Sequence, residues 1–339
     1  MIATDRRARL TGYGLAAGAA VLWATGAVTA KWLFSSIGFD VGPMALSGAR
    51  AWLAFLVTLV YLALFRRGPL RVSRRDLPFL VMFGVLGLAL VHFTYFQTIQ
   101  LTNVATAILL EYLAPVLVLV VSVALLGERW SWTLPVGVAL SVAGCALMVG
   151  VLGGKLVVTP AGIGWGLASA VFFAGYTVMG KYAAQRYSPW TLLVYGLGAA
   201  SLFWLVVMRG PGQILAVVSR PAGFLAAGYV AVFSTVLPFG AFLKALHYID
   251  ATKASVTATL EPAVAGILAY FLLGESLGPM QIAGGALVLV AIIIVQSPFR
   301  RAGAGADRGG GGGGADARDA RAPGGTRSPA GDESLPPAT

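Results

Sequence analysis

Apolar runs of about 20 residues, each long enough to cross a bilayer as a helix, recur along almost the whole chain from Tyr13 to Val295. No other feature constrains the fold as strongly. In hydrocarbon, backbone N–H and C=O groups must pair within their own element or inside a closed barrel. Barrel strands alternate every second residue over about 10 residues, whereas these runs are longer and continuously apolar. The chain therefore reads as an all-α integral membrane protein. Its charge content agrees. Only 11% of the 339 residues are charged, against about 25% in a soluble domain.

Ten transmembrane helices are expected, over residues 12–33, 43–65, 77–99, 105–126, 135–152, 162–182, 191–208, 225–247, 254–273 and 279–297. The first follows a short basic segment and mimics a signal peptide. Its apolar part is too long for a signal h-region, so it is read as an uncleaved helix. The formal net charge of +11 could suggest a nucleic-acid partner. The Lys and Arg residues instead sit mainly in short loops, the positive-inside pattern, and no nucleic acid is expected. RRGPLRVSRRD, residues 66–76, carries five arginines. Placing that loop in the cytoplasm puts the N-terminal segment 1–11 and the C-terminus there too. It leaves Lys31, Lys155, Arg209 and Arg220 on the far side. The Gly-rich segment 301–339 has almost no apolar bulk and reads as a disordered, dispensable cytoplasmic tail. A lone cysteine, Cys145, can form no internal disulfide and no cysteine metal cluster.

The two halves of the chain echo each other. At an offset of 147 residues Leu113 matches Leu260, Pro115 matches Pro262, and LLGE at 125–128 falls on LLGE at 272–275. Upstream the offset is 150 residues, and Lys31 matches Lys181. Two five-helix units, 12–152 and 162–297, follow. Because five is odd, the second unit starts on the opposite side from the first. Inverted repeats of this kind are a recurring plan of secondary transporters, since they provide two related packings around one central site.

These residues carry a family resemblance that covers about residues 12–297. A lysine closing the first helix of each unit (Lys31, Lys181), a proline in the fourth (Pro115, Pro262) and the glycine-glutamate turn after it (Gly127–Glu128, Gly274–Glu275) are together similar to the EamA family of the drug/metabolite transporter superfamily. The resemblance implies a ten-helix transporter of small metabolites in the cytoplasmic membrane, often exporting them. The substrates of that family vary widely.

Four ionisable residues lie deep in apolar runs: Arg50, His92, Glu111 and Glu261. A charge at mid-membrane costs about 2.5–3.5 kcal/mol on insertion scales, so such groups usually face protein or water and mark solute pathways. At 1.5 Å per residue, Arg50, His92 and Glu111 each fall roughly 10 Å below the outer surface. The expectation is that Arg50 and Glu111 form an ion pair or share a bound anionic or zwitterionic group, with His92 nearby. Glu261 and its neighbour Pro262 are expected to border the substrate pathway. For Pro115 and Pro262, a hinge or a carbonyl exposed to the cavity weighs equally with a static kink. Glu128 and Glu275 are read as structural carboxylates that cap the next helix or lie at an interface. Lys31, Lys181, Lys244 and His247 are explained by snorkelling to the headgroups. Trp23, Phe93, Tyr95, Phe96, Phe172, Phe173 and Tyr176 could line an amphipathic pocket, although packing is the commoner role of such aromatics.

Two other classes compete with a transporter. An integral membrane enzyme would need metal or nucleophile chemistry, and two histidines, one cysteine and no carboxylate–histidine cluster in a loop supply little of it. A receptor or structural protein would be expected to carry larger outer loops. There is no GxxxxGK[ST] phosphate loop, so direct use of ATP is not expected. The partners read from the sequence are a small-molecule substrate and the lipid bilayer, with a homodimer left open. No cofactor or metal is expected.

Overall fold

Inside a bilayer nearly any apolar sequence is driven to helix by its own backbone, so side chains mainly decide where helices start, break and touch. The computed structural model describes residues 2–36, 42–66, 68–153, 158–273 and 278–296. Among them there is no strand. The helices are α1 (Ile2–Ser36), α2 (Pro43–Phe65), α3 (residues 77–101), α4 (Val104–Leu125), α5 (Thr133–Met148), α6 (Pro160–Ala183), α7 (Pro189–Val207), α8 (Pro221–Ala245), α9 (residues 251–273) and α10 (Pro279–Gln296). Eight of these, α2 to α8 and α10, are long and apolar enough to cross a membrane. A short helix, Gly212–Val218, occupies a stretch expected to be loop, and α8 begins at Pro221 rather than at 225. Gly274, Glu275 and the tail 301–339 lie outside the described residues, as does the side chain of Lys31.

Helix starts follow local chemistry. Pro43, Pro160, Pro189, Pro221 and Pro279 each open a helix, where a missing N–H costs nothing and φ is preset. Thr159, Ser188 and Asn103 cap α6, α7 and α4, accepting from Gly162, Thr191 and Thr106 amides at 3.0, 3.1 and 2.8 Å.

Packing rests on small residues, because lipid supplies no hydrophobic force between helices. α5 and α10 cross at Gly144 and Gly284. A Cβ on Gly144 would lie 2.8 Å from the Gly284 carbonyl oxygen, and one on Gly284 2.7 Å from that of Gly144. α1 packs on α8 and α9, α2 on α7 and α8, and α3 and α4 on α6. Trp204, Tyr176, Phe83 and Phe242 are fully buried. Leu64, Leu125, Val206 and Phe271 are largely exposed, as suits a surface that meets lipid. Inside the bundle, Thr94, Thr98, Thr177 and Ser201 donate to the carbonyl one turn earlier, which satisfies them locally.

Four helices depart from regular winding: α4 and α9, where the prolines led to an expected kink, and α3 and α8, where none was expected. Val85–Leu90 in α3 and Val232–Val236 in α8 are π-helical. α4 breaks at Tyr112 and Leu113, and α9 breaks at Thr259. Both kinds of defect recur at the same 147-residue offset. The prolines explain three of them. Pro115, Pro262 and Pro238 cannot bond the carbonyls of Glu111, Ala258 and Ser234 four residues earlier. Val91, the counterpart of Pro238, is not a proline, and the structure shows no local reason for the π-helical segment in α3.

Candidate functional site

The irregular segments surround a cavity of roughly 60 Å³, space for several waters, lined by residues of α1, α2, α3, α4, α6, α8 and α9. Arg50, His92, Glu111 and Glu261 all line it. Pro115 and Pro262 do not; they sit just beyond the breaks of α4 and α9 and begin the second half of each helix.

Arg50, only 3% exposed, comes from α2. Its Nε and Nη2 donate to Thr235 Oγ1 at 3.1 and 2.8 Å. Thr235 in turn donates to the Val230 carbonyl at 2.8 Å. The π-helical winding of α8 makes this five-residue reach possible and turns the threonine oxygen toward the guanidinium. The guanidinium also lies 5.9 Å from the centre of the Phe96 ring, within cation–π range.

Glu111 ends the first half of α4 and accepts from the Ser169 hydroxyl of α6. Glu261 stands in the first turn of the second half of α9, where the helix N-terminus favours a carboxylate. Its Oε2 lies 2.7 Å from the Tyr112 hydroxyl, which also reaches the Ala258 carbonyl at 2.9 Å. His92 Nδ1 lies 2.8 Å from the Leu88 carbonyl. A carbonyl only accepts, so that nitrogen carries the proton.

Of the two arrangements expected for Arg50 and Glu111, the direct ion pair is absent among the described residues. Among the described residues the ion pairs are Arg186–Asp76 and Lys253–Asp250. Arg50 is held by Thr235 and Glu111 by Ser169, each by a neutral hydroxyl on a different helix. The cavity thus keeps one cationic and two acidic groups apart. Trp23 and Tyr95 also line it, and Trp23 Nε1 and Tyr95 Oη are buried without a hydrogen-bond partner. Unmatched buried donors are uncommon and costly, and they suit a polar occupant.

Of the seven aromatics named from the sequence, Trp23, Tyr95, Phe96 and Phe173 line the cavity. Phe93 packs between Trp165 and Trp204, Phe172 packs on the core, and Tyr176 is buried inside it. Gly26 of α1 abuts Ser234 so closely that any side chain would strike it. The sequence reading missed Thr235, Ser169 and Tyr112, which hold the three charged groups. Hydroxyls on membrane helices usually satisfy themselves, and no pattern marked these.

The structural residues divide differently from expectation. Lys181 does not snorkel. Its Nζ donates to the carbonyls of Leu246 and Ile249, both at 2.8 Å, at the C-terminal end of α8, where a cation satisfies the last carbonyls. Lys244 and His247 are exposed. Gly127 has a φ of +66°, the left-handed turn that glycine permits. It delivers Glu128 to α9, a helix of the other half. There Glu128 accepts from the amides of Ala251 (2.5 Å) and Thr252 (3.4 Å) and from the Thr252 hydroxyl (2.6 Å). Burial raises the Glu128 carboxyl above its ordinary value, and the Thr252 hydroxyl offsets part of this.

A sequence model of the EamA-like transporter family matches residues 10–150 and again 160–297. An uncharacterised transporter of Archaeoglobus fulgidus is 36% identical over 221 residues, covering 62% of this chain and 75% of its own. The threonine/homoserine exporter RhtA of Escherichia coli K12 is 28% identical over 285 residues, covering 79% of this chain and 84% of its own. One solved crystal structure superposes with a TM-score of 0.69 at 22% identity, over 86% of this chain and 96% of that one, a likeness of fold.

Proposed function

The chain belongs to the EamA-like transporter family, and from that premise we propose that it exports small zwitterionic, amino-acid-like metabolites across the cytoplasmic membrane by alternating access. The observation that carries this reading is the separation of Arg50 from Glu111 and Glu261 in one cavity. A zwitterion brings its own carboxylate to the guanidinium and its ammonium to a carboxylate. It would add no net charge to a site of low dielectric, where unpaired charges are expensive. Trp23 Nε1 and Tyr95 Oη supply further donors. The similarity to a threonine/homoserine exporter supports both the substrate class and the outward direction.

In the same reading the chain crosses the membrane ten times, α1 and α9 included, with both termini in the cytoplasm and its halves inverted. The paired π-helical segments and the paired breaks give each half the same two flexible points, as a device that rocks around one site requires.

Counterflow tests the proposal. Proteoliposomes holding purified protein and unlabelled threonine should accumulate labelled threonine from outside, and Arg50→Ala should lower the rate at least tenfold. Uptake no faster than in empty liposomes for threonine, homoserine and other zwitterionic amino acids alike would refute the substrate class.

A further inference from the structure

Glu261, Tyr112 and the Ala258 carbonyl form a chain of three groups that share too few protons. Pro262 has no N–H, so the Ala258 carbonyl four residues earlier loses its helical partner. Tyr112, from the matching break in α4, replaces it at 2.9 Å. The same hydroxyl lies 2.7 Å from Glu261 Oε2. A phenol has one proton to give, and a carbonyl oxygen can only accept. Both contacts are therefore full hydrogen bonds only when Glu261 is itself protonated. It then donates to Tyr112 Oη, and Tyr112 donates to Ala258.

We infer that Glu261 binds the exchangeable proton of this protein, and that Tyr112 couples its protonation to the break in α9. With the proton bound, Glu261, Tyr112 and Ala258 form an unbroken chain that ties α4 to both halves of α9. When Glu261 releases the proton to cavity water, giving a carboxylate and a hydronium ion, the Tyr112 proton turns from Ala258 to Glu261. The Ala258 carbonyl is then left without its partner at the weakest point of α9.

Charge balance points the same way. Facing Glu261 are Tyr112 and Glu111 on α4, Cys145 on α5, His92 and Tyr95 on α3, and Arg50 on α2. α1, α6 and α8 bring no titratable side chain to the cavity. His92 is satisfied as a neutral imidazole. One guanidinium balances one carboxylate, and the proton on Glu261 neutralises the second. In the transport cycle, which rests on the function proposed above, the ammonium group of the solute pairs with Glu261 once that proton has left, and the solute carboxylate meets Arg50.

Infrared difference spectroscopy of the full-length protein in lipid, titrated without any solute, tests the switch apart from transport. The wild type should show a protonated carboxyl band that disappears as pH rises, together with a change in the tyrosine C–O band. Glu261→Gln should lose both signals and Tyr112→Phe the tyrosine change alone. A carboxyl band that survives Glu261→Gln and vanishes in Glu111→Gln would place the proton elsewhere and overturn the inference. So would a tyrosine band that stays constant through the titration. Because no solute is present, neither result depends on the substrate having been named correctly.

Discussion

Arg50 reaches the bundle interior without a carboxylate against it, and Thr235 alone takes two of its N–H groups. A buried charged donor that loses its acceptor costs about 1–3 kcal/mol or more. Thr235→Val keeps the shape and removes the acceptor. It should lower the thermal midpoint in detergent and slow counterflow, whereas Thr235→Ser should retain most of both. Equal midpoints for the valine and serine variants would show that the contact is not what holds Arg50. Arg50, His92, Glu111 and Glu261 were legible in the sequence because lipid penalises charge so heavily that each had to have a reason. Thr235 and Ser169 were not. They share their residue types with Thr94, Thr98 and Ser201, which bond only their own backbone, and no local pattern separates the two groups.

Helices of this molecule are held at their ends by residues from other helices, in one case from the opposite half of the chain. Glu128 follows α4 yet caps α9, and Lys181 ends α6 yet closes α8. The sequence marked both as structural through their repetition, but the helix each serves is a tertiary fact that no spacing reveals. Glu128→Ala should remove the cap of α9 and cost about 1 kcal/mol, seen as a lower melting temperature in detergent. The pH dependence has a defined sign. Burial holds the folded-state pKa of Glu128 above its unfolded value, so ionising it costs more in the fold than outside. Its contribution is full below the unfolded pKa and falls as pH rises through the folded one. The melting temperature of the wild type relative to Glu128→Gln should therefore decline with rising pH; a constant difference would contradict it. At the crossing of α5 and α10, Gly144→Val meets backbone rather than a yielding side chain. Overpacking of this kind costs typically about 1–3 kcal/mol, again readable as a melting shift, and a neutral result would mean that the helices can part freely.

At the scale of the whole molecule the repeat was the most legible feature, because LLGE, the proline and the lysine survive in an otherwise interchangeable apolar text. What the repeat did not disclose is that the helices carrying the site are wound irregularly. The signal was present for α8 in Pro238 and absent for α3, so pattern alone could recover only part of it. The two defects per half lie at or near residues that line the cavity, although the charges of the halves differ. Glu111 falls on Ala258 and Glu261 on Ala114 at the 147-residue offset, so neither half holds a complete set of charged groups.

The proposed inverted arrangement has one consequence that can be measured without knowing the substrate. If the first half enters from the cytoplasm and five helices return the chain on the far side, then ten crossings bring it back. The loop at 66–76 and the chain beyond Gln296 must then lie on the same side as the N-terminus. Reporter fusions after residue 70 and after residue 300 should both read as cytoplasmic, while one at residue 155 should read as external. Deleting the chain after Ser297 should leave counterflow at the wild-type rate, since that composition offers nothing to pack. An external signal at only one of residues 70 and 300 would leave an odd number of crossings between them. The plan of ten crossings in two inverted halves would then fail, and with it the alternate presentation of the single central cavity by a symmetric exchange of their packings.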